Sequence, residues 1–411
     1  MSDTRKNRVP RHRYVDEILP EHLPDGLLSV VVFGPGRGEA IVVRLPNGTV
    51  GVVDGCREPA RGDKDPLGTG DPVRELIHLL GPPRLLFACL THPHDDHYSG
   101  LGRLIEAYEK RIEHVWSVDM GGPALKALLA THTRIRARGE ALPDMQKVKG
   151  LERVITRFSE AHKQHGSSPN FLHAGIPLLD EPMDFGRITV KACGPGPADL
   201  IRLRDTLYGA VKSSVEEGEV VNEDFDLNIA SGALLIRWEQ AGVLLAGDLL
   251  CGSDKSSGWQ HACRHVDGPV QVVNVAHHAS REAHDEALWA KMSPAIAIVT
   301  PFNHGATHDV KRNGSSTKTK YPPRPEQIAS LAKSATVAIT SPPHWDDERN
   351  APKARRSLAT KTIFGGKNSA LTITPSPESD TSHHNAVAVS LDATGAIRRL
   401  VLAGRADVYE P

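Results

Sequence analysis

The chain has 411 residues and a formal charge of −1, from 49 Lys plus Arg against 50 Asp plus Glu. That length suits two or three domains, or one large α/β domain with insertions. The balanced charge argues against a chain that coats nucleic acid through net charge alone. No stretch approaches the roughly 18 uninterrupted apolar residues of a membrane span, and Met1 to Pro20 holds no apolar run that would serve as a secretory signal. The five Cys show no C-x-x-C spacing, so reduced thiols in a cytoplasmic, membrane-free protein are expected rather than a disulfide framework or a thiolate zinc site. Any metal would have to be held by His and carboxylate. His is the unusual residue, with 21 copies.

Taken in chain order, residues 1–26 read as an irregular lead-in. Apolar runs at Leu27–Phe33, Ala40–Leu45 and Thr49–Val53 are separated by Gly-Pro-Gly-Arg-Gly and Pro-Asn-Gly, which predicts a β-meander. A Gly/Asp/Pro-rich loop follows over 57–71, then a helix at Val73–Leu80 and a strand at Arg84–Leu90. Leu101, Leu104, Ile105 and Tyr108 fall at the offsets of an amphipathic helix. Further helices are expected at Ala124–Arg138, at Leu151–His162 and through Leu200, Leu203, Leu207 and Val211, with a strand at Ile188–Ala192 before the last.

The second half predicts strands at Ala230–Trp238, Val243–Ala246, Val270–Ala276, Ala295–Thr300 and Thr336–Thr340, with helices at Glu282–Met292 and Ile328–Lys333. Ala386–Leu391 and Ala396–Leu402 read as a closing hairpin. Strand pairs before and after helical stretches predict an α/β fold of two sheets covered by helices, a four-layer αββα sandwich. The expected division is the lead-in 1–26, a main domain 27–345 with a helical insertion at about 120–217, and a C-terminal extension 346–411.

The informative segment is Thr91-His-Pro-His-Asp-Asp-His-Tyr-Ser-Gly100. It places His92, His94, Asp96 and His97 in one loop between a buried strand and an amphipathic helix. Imidazole and carboxylate at that spacing suit zinc or manganese. The His92/His94 pair can grip one ion, with Asp96 and His97 directed to a neighbouring one.

H-x-H-x-D-H resembles the hallmark of the metallo-β-lactamase superfamily, and two further motifs follow in its order. Ala246-Gly-Asp248 ends a predicted strand, and Val275-Ala-His-His-Ala-Ser280 follows another. The chain is similar, over roughly residues 27 to 340, to the soluble hydrolase domain of competence-type DNA-uptake proteins and its free-standing relatives. Val32-Phe-Gly-Pro-Gly-Arg-Gly-Glu39, Val52-Val-Asp-Gly55 and Asn228-Ile-Ala-Ser231 carry that likeness, and His277-His-Ala-Ser280 departs from His-His-Gly-Ser by Ala at the third place.

The resemblance implies two divalent ions, Zn2+ first and Mn2+ second, held by His92, His94, Asp96, His97, the bridging Asp248 and one of His277 and His278. His277 is assigned as the ligand, with His278 beside it or facing substrate as a catalytic group. Hydroxide generated from metal-bound water would attack, so no nucleophilic Ser or Cys is required; Asp96 would bind metal and accept a proton. Three departures stand out. A third His for the first ion has only His132, His162, His165 and His173 as candidates, none of them in a motif. Tyr321-Pro-Pro-Arg stands where a His-Pro pair is common, with His304 or His308 as substitutes, and 303–320 reads as an insertion near the site mouth.

From Lys311 to Lys367 there are 12 Lys plus Arg and 4 Asp plus Glu, so the balanced total conceals a net +8 segment. With Lys311 and Arg312 at a site mouth, and Asn228 and Ser231 behind it, the expected substrate is a phosphodiester of nucleic acid, DNA foremost. A small-molecule hydrolase acting on a lactone, thioester or cyclic phosphodiester is the alternative, and a non-catalytic partner subunit the lesser one. A solvated basic loop would carry the same charge.

Overall fold

The computed structural model describes residues 23–34, 38–55, 72–82, 84–108, 111–119, 154, 156–158, 160, 170–184, 186–212, 227–302, 322–341, 361–365, 369–375, 385–403 and 406–409. The apolar runs at the start form an antiparallel meander of β1 (Leu28–Phe33), β2 (Ala40–Arg44) and β3 (Val50–Val53). Pairing then turns parallel through β4 (Leu85–Leu90), β5 (Ile112–Val118) and β6 (Asn170–Leu172). The connection from β3 to β4 contains α1 (Pro72–Leu80), and that from β4 to β5 contains α2 (Leu101–Tyr108).

The second sheet begins antiparallel with β7 (Pro177–Met183) and β8 (Gly186–Gly194). Helix α3 (Pro197–Lys212) leads on to β9 (Ala233–Trp238) and β10 (Ala241–Leu245). It continues parallel with β11 (Val272–Asn274), β12 (Ile296–Val299) and β13 (Thr336–Ile339). Helices α4 (Gly258–Ala262), α5 (Glu286–Met292) and α6 (Pro325–Leu331) fill the connections.

The C-terminal strands join both sheets. β14 (Lys361–Gly365), β15 (Ser369–Pro375), β16 (Ala386–Leu391) and β17 (Ile397–Ala403) extend the first sheet, with β16 against β1. β18 (Asp407–Tyr409) pairs with β13 in the second. Among the described residues the sheets have ten and eight strands.

Side-chain alternation creates the layers. Leu28, Val30 and Val32 of β1 pack between the sheets with Ile236 and Val243, while Val31 and Phe33 turn outward against Leu76, Ile77, Leu104 and Ile105 of α1 and α2. Leu244 and Val273 of the second sheet pack outward against Trp259, Leu288 and Ile328. Strands apolar on both faces thus sit between helices, and the molecule is the expected αββα sandwich. Each fully buried aliphatic side chain contributes about 1.5–3 kcal/mol.

Several strands were not expected. β7 contains Pro177 and Pro182, which reads against a strand, but it lies at the sheet edge, where missing donors are tolerated. β5 carries Glu113 and His114 among its apolar residues, which blurs the pattern although five of its seven positions are buried. The predicted helix at 124–138 lies outside the described residues, as does most of 151–162. Cys89, Cys193, Cys251 and Cys263 are free thiols. No helix among the described residues is long and apolar enough to cross a membrane.

Candidate metal centre

Parallel strands bring their carboxyl ends to one rim, where the loops after them can converge. Asp54 follows β3, the His92–His97 loop follows β4, Asp248 follows β10, His277 and His278 follow β11, and Thr300 follows β12. Glu39 enters from the other direction, immediately before β2. Two close backbone approaches require glycine. At Gly38, with φ at +100°, a Cβ would lie 2.0 Å from the Asp96 carbonyl oxygen. At Gly247, with φ at +51°, it would lie 2.7 Å from Ser231 Oγ.

The donors gather in two overlapping groups around Asp248. Donor atoms of His92, His94 and Asp248 lie within 4.8 Å of one another, and so do those of Asp96, His97, Asp248 and His278. Asp248 Oδ1 is 3.4 Å from His97 Nε2, and its Oδ2 is 3.7 Å from His92 Nε2 and 3.9 Å from His278 Nε2. One carboxylate therefore touches both groups, as a bridging ligand must. His97 Nε2, His278 Nε2 and Asp248 Oδ1 are buried without a hydrogen-bond partner among the described residues. Orphaned polar atoms facing one another are costly unless something satisfies them. A divalent cation fits this all-nitrogen-and-oxygen set.

The ring orientations are imposed by acceptors behind them. Thr91 donates through its backbone N to Asp54 Oδ1 at 2.8 Å and through its hydroxyl to Asp54 Oδ2 at 2.6 Å. Asp54 Oδ2 also lies 2.8 Å from His97 Nδ1, so Nδ1 carries a proton and Nε2 is the nitrogen turned toward the cluster. His278 Nδ1 lies 2.8 Å from the Thr300 carbonyl oxygen, which can accept a hydrogen bond from it. The Thr91 hydroxyl, whose proton goes to Asp54, is 3.2 Å from His92 Nδ1 and can only accept there. Ser231 Oγ accepts from Asp248 N at 2.8 Å and lies 3.3 Å from His92 Nδ1.

Electrostatics follow from this packing in the metal-free chain. Burial and the neighbouring His97 hold His92 well below the usual imidazole range, so it is neutral. Burial opposes charge on His97, but Asp248, Asp96 and Asp54 together outweigh it and hold its pKa well above normal. Asp96 and Asp248 lie below the carboxylate range, because the imidazoles beside them overcome their burial. Burial pushes Glu39 up to about 7. Metal binding must displace the proton on His97.

The sequence assigns His277 as the ligand, whereas it is the donor atom of His278 that groups with those of Asp96, His97 and Asp248. His278 Nε2 enters the donor group, 3.4 Å from Asp96 Oδ2, and its ring is buried. His277 Nε2 is 4.0 Å from Asp248 Oδ2 and 3.2 Å from Asn228 Nδ2, with Ser280 Oγ 2.9 Å from its Nδ1, and its side chain is 23% exposed. His277, His278 and Ala279 all have φ between +47° and +60°. This left-handed run costs non-glycine residues about 1–2 kcal/mol each, and within it both rings approach Asp248 Oδ2, His278 at 3.9 Å and His277 at 4.0 Å, while His278 also comes within 3.4 Å of Asp96. Strand alternation could not foresee that, because the strand ends at Asn274.

Of the other expectations, His173 is described but lies in neither donor group. His132, His162, His165, His304, His308, Lys311 and Arg312 lie outside the described residues. Glu39, Asp54, Thr91 and Thr300 had no assigned role; the Asp-Gly and Gly-x-Gly-Glu patterns were the available signals for the first two.

Residues 65–304 match the family model described as Metallo-beta-lactamase superfamily, more than half of the chain. The chain belongs to the metallo-beta-lactamase superfamily. No curated protein matches it. Similar solved structures include a mutant of the beta-hydroxylase CmlA, with 13% identity and a TM-score of 0.33 over 67% of this chain and 46% of that one. Tm1679, a metal-dependent hydrolase of the beta-lactamase superfamily, has 10% identity and a TM-score of 0.33 over 68% and 90%. Metallo-beta-lactamase SMB-1 bound to 2-mercaptoethanesulfonate has 13% identity and a TM-score of 0.26 over 57% and 66%. This superfamily member thus spans less than half the length of the hydroxylase.

Proposed function

We propose that this chain is a metal-dependent phosphodiesterase acting on nucleic acid, DNA foremost, with two divalent ions held in the rim between the sheets. The observation that carries the metal reading is Asp248, whose two oxygens touch both donor groups. His92, His94 and Asp248 would hold one ion, and Asp96, His97, Asp248 and His278 the other. Zn2+ suits this donor set, with Mn2+ second. Ions bound there supply Lewis acidity, acidifying water and polarising the scissile group.

The chain's own residues then do the positioning. Asp54 and Thr300 hold the His97 and His278 rings with Nε2 turned inward. Asp96 is ionised and can accept a proton from the attacking water. His277, the more exposed of the pair and paired with Asn228, is the imidazole that a substrate can reach. The net +8 of residues 311–367, with Lys311 and Arg312 at its start, supports a polyanionic substrate. The motif likeness to competence-type proteins supports DNA within that class.

The test is cleavage of single- and double-stranded DNA by purified protein with Zn2+ or Mn2+, beside a His94→Ala/Asp96→Ala control. Cleavage by wild type alone is expected. Cleavage by both proteins, or by neither under any metal, would sink the nuclease reading. Turnover of a lactone or thioester with DNA untouched would move the substrate to small molecules.

A further inference from the structure

Glu39 is a buried carboxylate that crosses from the first sheet to the second. It is 1% exposed, and its Oε2 accepts from Asn274 Nδ2 at 3.2 Å, just after which the His277–His278 turn begins, and from Thr300 Oγ1 at 3.0 Å. Thr300 Oγ1 in turn lies 3.1 Å from His278 Nδ1, beside the Thr300 carbonyl oxygen at 2.8 Å. We propose that Glu39 is a positioning residue for the second ion, fixing the tautomer of His278 through the Thr300 hydroxyl. The inference rests on the metal-centre reading above and deepens it.

A hydroxyl has one proton and can serve His278 Nδ1 either as donor or as acceptor. Glu39 Oε2 takes the Thr300 proton, so Thr300 Oγ1 is left as an acceptor toward the ring. Both Thr300 oxygens then demand a proton on Nδ1, and the lone pair must sit on Nε2, toward Asp96 and Asp248. Without Glu39 the hydroxyl can rotate and donate to Nδ1. The proton then moves to Nε2, where it blocks metal ligation. Glu39 Oε1 has no hydrogen-bond partner among the described residues, so the relay runs through Oε2 alone.

Three variants test it: Glu39→Gln, whose amide oxygen can still accept from Thr300 and Asn274; Glu39→Leu, which cannot; and Thr300→Val, which deletes the hydroxyl and keeps the carbonyl. Thermal melts of the metal-free proteins establish that each is folded. Chelator-competition titration with Zn2+ should show Glu39→Gln and Thr300→Val within a few-fold of wild type, and Glu39→Leu weakened about 10–100-fold for one of two ions. In metal-free protein at alkaline pH, 15N shifts of His278 should report the Nδ1–H tautomer in wild type, Glu39→Gln and Thr300→Val, and loss of that single tautomer in Glu39→Leu.

Glu39→Gln weakening as far as Glu39→Leu would overturn the relay in favour of charge or direct ligation. An Nε2–H tautomer in wild type would overturn it outright. The tautomer measurement needs neither bound metal nor any substrate. A relay intact in a protein that cleaves no DNA therefore separates failure of the nuclease reading from failure of this one.

Discussion

Asp54 Oδ2 lies 2.8 Å from His97 Nδ1, although 43 residues separate the two in sequence. Both side chains are fully buried. The contact joins the end of β3 to the loop after β4, which pair as parallel neighbours. It converts a flexible titratable ring into an oriented donor.

Removing that contact should loosen the metal. Asp54→Ala is expected to weaken the ion held by His97 about 10–100-fold, while His94→Ala weakens the other. Competition titration of each variant with a zinc chelator reads the two affinities separately.

The two adjacent imidazoles should behave differently. His278→Ala is expected to reduce bound Zn2+ from two ions to one, because His278 stands in the donor group with Asp96, His97 and Asp248. His277→Ala should keep both ions and lower turnover. Metal analysis after gel filtration decides between them, and the reverse result would return His277 to the ligand set.

Glu39 sets a pH dependence in the metal-free chain. Its folded pKa of about 7 exceeds the unfolded value of 4.5, so between those values the native state binds more protons than the unfolded one. Stability therefore falls as pH rises through that window, by about 3 kcal/mol in total. Urea unfolding in EDTA at intervals across it should show wild type losing stability relative to Glu39→Gln. Parallel curves for the two proteins would contradict the shift.

Ser231 supports the bridging carboxylate from behind. Its Oγ accepts from Asp248 N at 2.8 Å and is fully buried. Ser231→Ala should cost about 1–3 kcal/mol by leaving that N–H unsatisfied, and should weaken both ions, since Asp248 belongs to both groups. Denaturant unfolding with and without Zn2+ measures the two effects.

Much of the centre was legible in the sequence because it is local. His92, His94, Asp96 and His97 occupy six residues, and their spacing alone marks a metal loop. Asp248 and the 277/278 pair were legible as residues at the ends of apolar runs. The meander, most second-sheet strands and the layered fold could likewise be read from the period of buried residues. β5 and β7 were hidden by polar residues and by Pro, which an edge or a partly covered face tolerates.

What the sequence by itself determined, then, is the fold class, the family and a set of candidate metal-ligating residues. Only the tertiary structure decided which of two neighbouring imidazoles enters the cluster, and it did so through a left-handed backbone run that no strand periodicity encodes. It alone brought Glu39 and Asp54 behind the donors, because a carboxylate acts on a ring through a few ångströms of space. That separation is set by which strands lie side by side, not by the number of residues between them.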